Sequence, residues 1–132
     1  MRALVIDDSR ATRAILSRIL QQVGFATFDV ADGQLALTWL ADNGPVDLAL
    51  VDWNMPILDG LSFIKIVRAN PAYADMRLLM VTTESDIERM IMALEAGADE
   101  YAMKPFTASV IREKVDILGI KLPDTPVAGG VV

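Results

Sequence analysis

Three short segments set the pattern of this chain: ALVI at residues 3–6, LALV at 48–51 and LLMV at 78–81. Each is an almost unbroken apolar run bounded by polar residues. A strand takes that form when both of its faces are covered, as in a parallel sheet. Two more mixed segments, FATFDV at 25–30 and EYAM at 100–103, read as strands nearer the edges. Helical patterns lie between them. Ile15, Leu16, Ile19, Leu20 and Val23 form one apolar face, which Gly24 ends. Ala36, Leu37 and Leu40 form a second, and Phe63, Ile64 and Val67 a third. Ile87, Met90, Ile91 and Leu94 form a fourth, opened by a capping box of Ser85 and Glu88 and closed by Gly97. Ile111, Val115 and Leu118 form the fifth. Strict alternation of strand and helix predicts five βα units in a three-layer α/β domain.

The chain has 132 residues, enough for one such domain. Residues 1–120 read as the folded unit. Residues 121–132, KLPDTPVAGGVV, are rich in proline and glycine and read as a mobile tail. No apolar run approaches the ~20 residues of a membrane span. There is no cysteine, hence no disulfide framework and no thiolate metal site, which points to the cytoplasm. Histidine is absent as well, which removes the usual general base and the commonest transition-metal ligand. A formal net charge of −6 argues against a phosphate-backbone interface with nucleic acid. Hard-cation chemistry with oxygen ligands stays open.

In an open α/β sheet, ligands bind outside the carboxyl ends of the strands, where strand order reverses. The polar residues of this chain fall there. The first predicted strand ends in Asp7 and Asp8, the third in Asp52, the fourth in Thr82 and Thr83, and the fifth in Lys104 and Pro105. Singly, each has an ordinary explanation: Asp8 and Ser9 as a helix cap, Asp52 as a turn former, Lys104 as a solvated side chain, Tyr101 as a packed aromatic. Trp53, beside Asp52 on a loop, is expected to be partly exposed. Together, independent capping does not produce acid, acid, hydroxyl and amine at successive strand ends. Carboxylates ~4 Å apart repel by about 4 kcal/mol per pair at an effective dielectric of ~20, so a cluster of three calls for a cation. Carboxylate, carbonyl and water oxygens suit Mg²⁺. With an ammonium nearby, such a site can receive a phosphoryl group.

VIDDSRATR at 5–13, VDWNMPILDG at 51–60, MVTTES at 80–85 and YAMKPFT at 101–107 stand in an order and spacing that resemble a response-regulator receiver domain. Within that family the chain is most similar to the stand-alone chemotaxis regulators, over roughly residues 2–118. The resemblance implies a flavodoxin-like sheet of order 2-1-3-4-5 and a role in two-component signal transduction. Asp52 would be the phosphoacceptor, taking its phosphoryl group from the phosphohistidine of a sensor histidine kinase. Asp8 and Asp52 would bind Mg²⁺ directly with the backbone carbonyl of Asn54, and Asp7 mostly through water. Lys104 would pair with the phosphoryl oxygens, and its bond to Pro105 would be cis. Thr82 and Tyr101 would form the switch, the tyrosine turning inward from a more exposed position. Asn54 and Glu84 would flank the path of the hydrolytic water and tune the lifetime of the phosphoryl state.

Output by this resemblance goes to a protein target such as a flagellar motor switch protein, through a surface where Ile87 and Met90 add apolar contacts. Asp86 and Ile87 stand where chemotaxis regulators often carry lysines, and Thr83 replaces a common alanine. The implied role is that of a phosphoacceptor signalling domain and not of an enzyme acting on a separate substrate. Two alternatives remain at this point. One is the receiver half of a DNA-binding regulator. The other is a phosphatase of the haloacid dehalogenase type, which would carry aspartate two residues after its nucleophile, where this chain has Asn54.

Overall fold

The computed structural model describes residues 1–83, 87–104 and 107–120. Strands and helices alternate: β1 (Arg2–Ile6), α1 (Arg10–Val23), β2 (Ala26–Val30), α2 (Gly33–Asn43), β3 (Leu48–Asp52) and α3 (Gly60–Arg68). A 3-10 turn at Pro71–Tyr73 leads to β4 (Arg77–Thr82), followed by α4 (Ile87–Ala96), β5 (Glu100–Met103) and α5 (Ala108–Ile117). All four strand pairings are parallel, in the order β2-β1-β3-β4-β5. Each strand therefore needs a crossover, and the helices supply it on both faces.

The period of two along each strand divides the core. Ala3, Val5, Leu48, Leu50, Leu79 and Val81 pack with Leu16 and Leu20 of α1 and Ile111 and Val115 of α5. Leu4, Ile6, Ala49, Val51, Leu78 and Met80 meet α2, α3 and α4 on the other face. The apolar runs are continuous because neither face sees water. Side chains close the helix starts: Ser9, Asp32, Asp59 and Thr107 each accept a bond from a backbone amide three residues on. Gly24 ends α1 at φ 122°. The Ser85 side of the expected capping box lies outside the described residues, as does the tail from residue 121. No helix among the described residues is long and apolar enough to cross a membrane.

Two helical faces differ from expectation. In α1 the buried residues are Leu16, Leu20 and Val23, while Ile15 is 60% exposed. In α4 the stripe of Ile87, Ile91 and Leu94 faces outward, Met90 is partly buried, and the buried residue is Ala93. The reason is compositional. Apolar residues surround most of α4, so periodicity does not select a direction, and the small alanine is the side that approaches the sheet.

Arg68, the last residue of α3, secures the far end of the β4 region. Its Nε donates to the Gly97 carbonyl at 2.8 Å, and its Nη2 donates to the Met76 carbonyl at 2.8 Å and to Asp99 at 2.6 Å. The same Asp99 oxygen accepts the Leu78 amide at 2.8 Å. Gly97 sits at φ 120°, and a Cβ there would lie 2.3 Å from the Arg68 Cγ. Removing the guanidinium strands several acceptors at once. Arg68→Met should lower the unfolding free energy by about 3 kcal/mol in urea titration, whereas a loss under ~1 kcal/mol would mean water satisfies those carbonyls.

Candidate functional site

β1 and β3 are neighbours between which the strand order reverses, so their carboxyl ends open onto the crevice where such sheets bind ligands. Asp7 and Asp8 follow β1, and Asp52 is the final residue of β3. One oxygen from each of the three carboxylates lies within 4.8 Å of the others. Asp7 and Asp52 are buried, at 1% and 8% exposure, while Asp8 faces solvent. Thr82, at the end of β4, is buried beside them in the strand order.

Lys104 reaches over this edge from the end of β5. Its Nζ stands 2.6 Å from an Asp7 oxygen and 3.4 Å from an Asp52 oxygen. Its amide donates to the Thr82 carbonyl at 2.8 Å, which extends the β4–β5 pairing by one residue and aims the side chain back across β4. Asp7 is held on every side. Its second oxygen accepts the Ser9 amide at 2.8 Å, and its own amide donates to the Val30 carbonyl at 3.2 Å. Its carbonyl accepts from the Arg13 guanidinium at 2.8 Å, which also pairs with Asp29 of β2 at 3.4 Å.

The loop after Asp52 explains why residues that cannot extend a strand follow it. Ile57 has φ 71°, rare for a β-branched residue, and the Leu58 amide donates to the Pro56 carbonyl at 2.7 Å. That i to i+2 bond around a positive φ is a γ-turn, a tight reversal. The chain then folds back until the Gly60 amide donates to the Trp53 carbonyl at 3.0 Å. A Cβ at position 60 would lie 2.1 Å from the Asp52 carbonyl oxygen, so only glycine fits there. Asp59 caps α3 directly afterwards. Asp8, Trp53, Asn54, Met55, Pro56 and Asp59 line an open cleft of about 540 Å³ beside the acidic cluster.

The electrostatics are unbalanced toward negative charge. Burial, then the charge of Asp7, pushes the Asp52 carboxyl up to about 6; the Lys104 charge and hydrogen bond pull it part of the way back, and Asp8 adds to the rise. For Lys104, burial acts to lower the ammonium's pKa, but the hydrogen bond to Asp7 and the Asp52 and Asp7 charges outweigh it, leaving the value raised. Among the described residues, one cation, Lys104, stands against three carboxylates, which leaves a net deficit of positive charge in a set of hard oxygen donors with no nitrogen or sulfur. That donor set fits a small divalent cation such as Mg²⁺.

The structure thus brings together Asp7, Asp8, Asp52 and Lys104, with Thr82 on the adjoining strand end and Asn54 exposed at the cleft. Glu84 and Pro105 lie outside the described residues. Two expectations are corrected. Trp53 is buried, at 9% exposure, because its indole packs into the core and carries the Arg89 guanidinium of α4 over its ring, 5.2 Å from the centroid. Tyr101 is also buried, at 5%, within the core cluster that includes Met80 and Ala98, so it already occupies an inward position. The sequence reading missed Arg13, Gly60 and Arg89. An aspartate–glycine pair just before an apolar helical run signals Asp59 and Gly60; Arg89 has no local signal.

The description "response regulator receiver domain" belongs to a family model that matches residues 3–116. A chemotaxis protein CheY homolog of Campylobacter jejuni is 41% identical over 121 residues, covering 90% of this chain and 93% of its own. The chemotaxis protein CheY of Pseudomonas aeruginosa is 38% identical, covering 88% and 94%. Among solved structures, the Vibrio cholerae chemotaxis protein CheY4 superposes with a TM-score of 0.82 at 31% identity, covering 89% of this chain and 97% of that one.

The raised Asp52 carboxyl has a consequence for stability. Its folded value of about 6 exceeds the ordinary 3.8, so the native state binds this proton more tightly than the unfolded chain. Burying the ionised group costs stability above pH ~6, and the cost is relieved as pH falls toward ~4. In metal-free protein, Asp52→Asn should be more stable than the parent at pH 7.5, with the gap closing as pH drops from about 7 to 4. Denaturant titrations across that range check this; a gap that widens on acidification would contradict the burial argument.

Proposed function

The chain belongs to the response regulator receiver domain family, and from that premise we propose that it signals by accepting a phosphoryl group on Asp52. The observation that carries the proposal is the cluster of Asp7, Asp8 and Asp52 within 4.8 Å, two of them paired with the Lys104 ammonium. Asp8 and Asp52, with the Asn54 carbonyl, would hold Mg²⁺, and Asp7 would act through water. When bound, the ion supplies charge neutralisation for the transferring phosphoryl oxygens.

The donor is the phosphohistidine of a sensor histidine kinase. An ionised Asp52 oxygen attacks phosphorus; the O–P bond forms as the N–P bond breaks, and the imidazole leaves with the electron pair and takes up a proton. Lys104 shifts from its carboxylate partners to a phosphoryl oxygen, matching the charge that develops there. Release needs water at the same phosphorus, and Asn54 and Glu84, two residues beyond Asp52 and Thr82 in the sequence, would tune its rate. The chain brings no histidine to this chemistry, as suits an acceptor whose donor imidazole belongs to the partner.

The phosphoryl group adds about −1.5 to −2 charge and three strong acceptor oxygens. Thr82 can donate to one of them. In this reading, that bond stabilises the inward position of Tyr101 on the neighbouring strand. The switch is therefore a shift between inward and outward tyrosine, biased by the difference in contacts. The output face is the α4 side, where Ile87, Ile91 and Leu94 are exposed. The named relatives are chemotaxis proteins, which favours a target in motility control such as a flagellar motor switch protein.

Acetyl phosphate with Mg²⁺ should add one base-labile phosphoryl group by mass spectrometry, lost in Asp52→Asn and without Mg²⁺. Equal labelling of Asp52→Asn would place the acceptor elsewhere. Thr82→Ala and Tyr101→Ala should accept the group yet lose most of the gain in target affinity, by about tenfold in pull-down titrations with beryllofluoride. Unchanged gain in both variants would mean the signal leaves by another route.

A further inference from the structure

Trp53 stands between two residues of the cleft, Asp52 before it and Asn54 after it. Its backbone has little slack. The carbonyl is held by the Gly60 amide at 3.0 Å, and a Cβ at position 60 would lie 3.1 Å from the Trp53 Cα. Any change in the Trp53 backbone torsions therefore shifts both neighbours. The ring is restrained separately. It belongs to the core cluster beneath the sheet's α2–α4 face, and the Arg89 guanidinium lies over the ring at 5.2 Å from the centroid. A guanidinium over an indole is attracted by the negative face of the ring, most strongly where water is largely excluded. Arg89 belongs to α4, so this contact joins the loop after β3 to a helix that the chain reaches some thirty residues later.

Arg89 reaches the cleft through the indole it covers. We propose that Arg89 is a positioning residue of the acidic cleft: by its cation–π contact it fixes Trp53, and through Trp53 it sets the Asp52–Asn54 backbone in place for cation and phosphoryl binding. The inference rests on the phosphoacceptor reading of the cleft. It adds a residue from α4, outside the strand ends, to the group that prepares the site before any ligand arrives. Without the contact the indole gains freedom that has to be lost again on binding, which weakens affinity but leaves the bound geometry, and hence the maximal rate, intact.

The test compares Arg89→Met, which keeps an apolar stem without charge, with Arg89→Lys, which restores a cation. Mg²⁺ affinity is read by titration calorimetry, and acetyl phosphate rates are measured across Mg²⁺ and donor concentrations. Arg89→Met should weaken Mg²⁺ binding about fivefold and raise the half-saturating Mg²⁺ concentration similarly, with the maximal rate within about twofold of the parent. Arg89→Lys should recover most of that loss. In a Trp53→Leu background, where no ring remains to hold, Arg89→Met should change Mg²⁺ affinity by less than about twofold. Affinity unchanged or tighter in Arg89→Met overturns the proposal, as does an equal loss in Arg89→Lys. A loss of the same size in the Trp53→Leu background would show general destabilisation and overturns it too. A parent chain that binds no Mg²⁺ and takes no phosphoryl group would defeat the phosphoacceptor reading itself, and this inference with it.

Discussion

One ammonium group, the Lys104 Nζ, keeps two buried carboxylates together at 2.6 and 3.4 Å. The rest of the site follows from that contact. Two ionised carboxylates a few ångströms apart repel by about 4 kcal/mol at an effective dielectric of ~20, and a cation between them reverses the sign of the local energy. Lys104 is not enough to balance Asp8 as well. The site is left short of positive charge, with exposed oxygen on one side and an open cleft beside it. A surplus of negative charge held in a fixed shape is what gives a divalent cation, and then a phosphoryl group, a reason to bind.

Holding that surplus requires a rigid frame, and the fold supplies it from several elements. Parallel pairing aligns the carboxyl ends of β1, β3, β4 and β5 on one edge. Ser9, Val30 and Arg13 hold an Asp7 carboxylate oxygen and its backbone amide and carbonyl, so that residue is pinned as a wall of the site. The γ-turn at Ile57 and the close approach of Gly60 to the Asp52 carbonyl bring the following loop back over the cleft. Strain at Ile57 is tolerated because the bonds at Leu58 and Gly60 over-determine the turn.

Most of this was legible in the sequence, for a physical reason. Strands covered on both faces read as unbroken apolar runs, so Asp7, Asp52 and Thr82 stood out where the runs stop, and Lys104 followed the fifth strand. What could not be read are contacts that depend on how helices rotate and dock. Trp53 follows a strand end, where exposure is the reasonable expectation, and it is buried because its indole joins the core cluster, with Arg89 of α4 over the ring. The stripe of Ile87, Ile91 and Leu94 has helical spacing, but α4 is apolar around most of its circumference, so Ala93 could take the core side. Tyr101 lies in a mixed strand at the sheet edge, and no local pattern reveals that its ring is already inward.

The central claim is that Lys104 and a divalent cation serve the same surplus of negative charge, while Lys104 is needed again at the phosphoryl group. The most direct measurement is calorimetric Mg²⁺ titration of Lys104→Met beside the parent at fixed pH and ionic strength. Losing the competing ammonium should tighten Mg²⁺ binding by about tenfold, roughly the worth of one screened charge at this distance, even though phosphorylation slows. Weaker Mg²⁺ binding in Lys104→Met would contradict the account, since Lys104 would then be shaping the cation site and not competing for it.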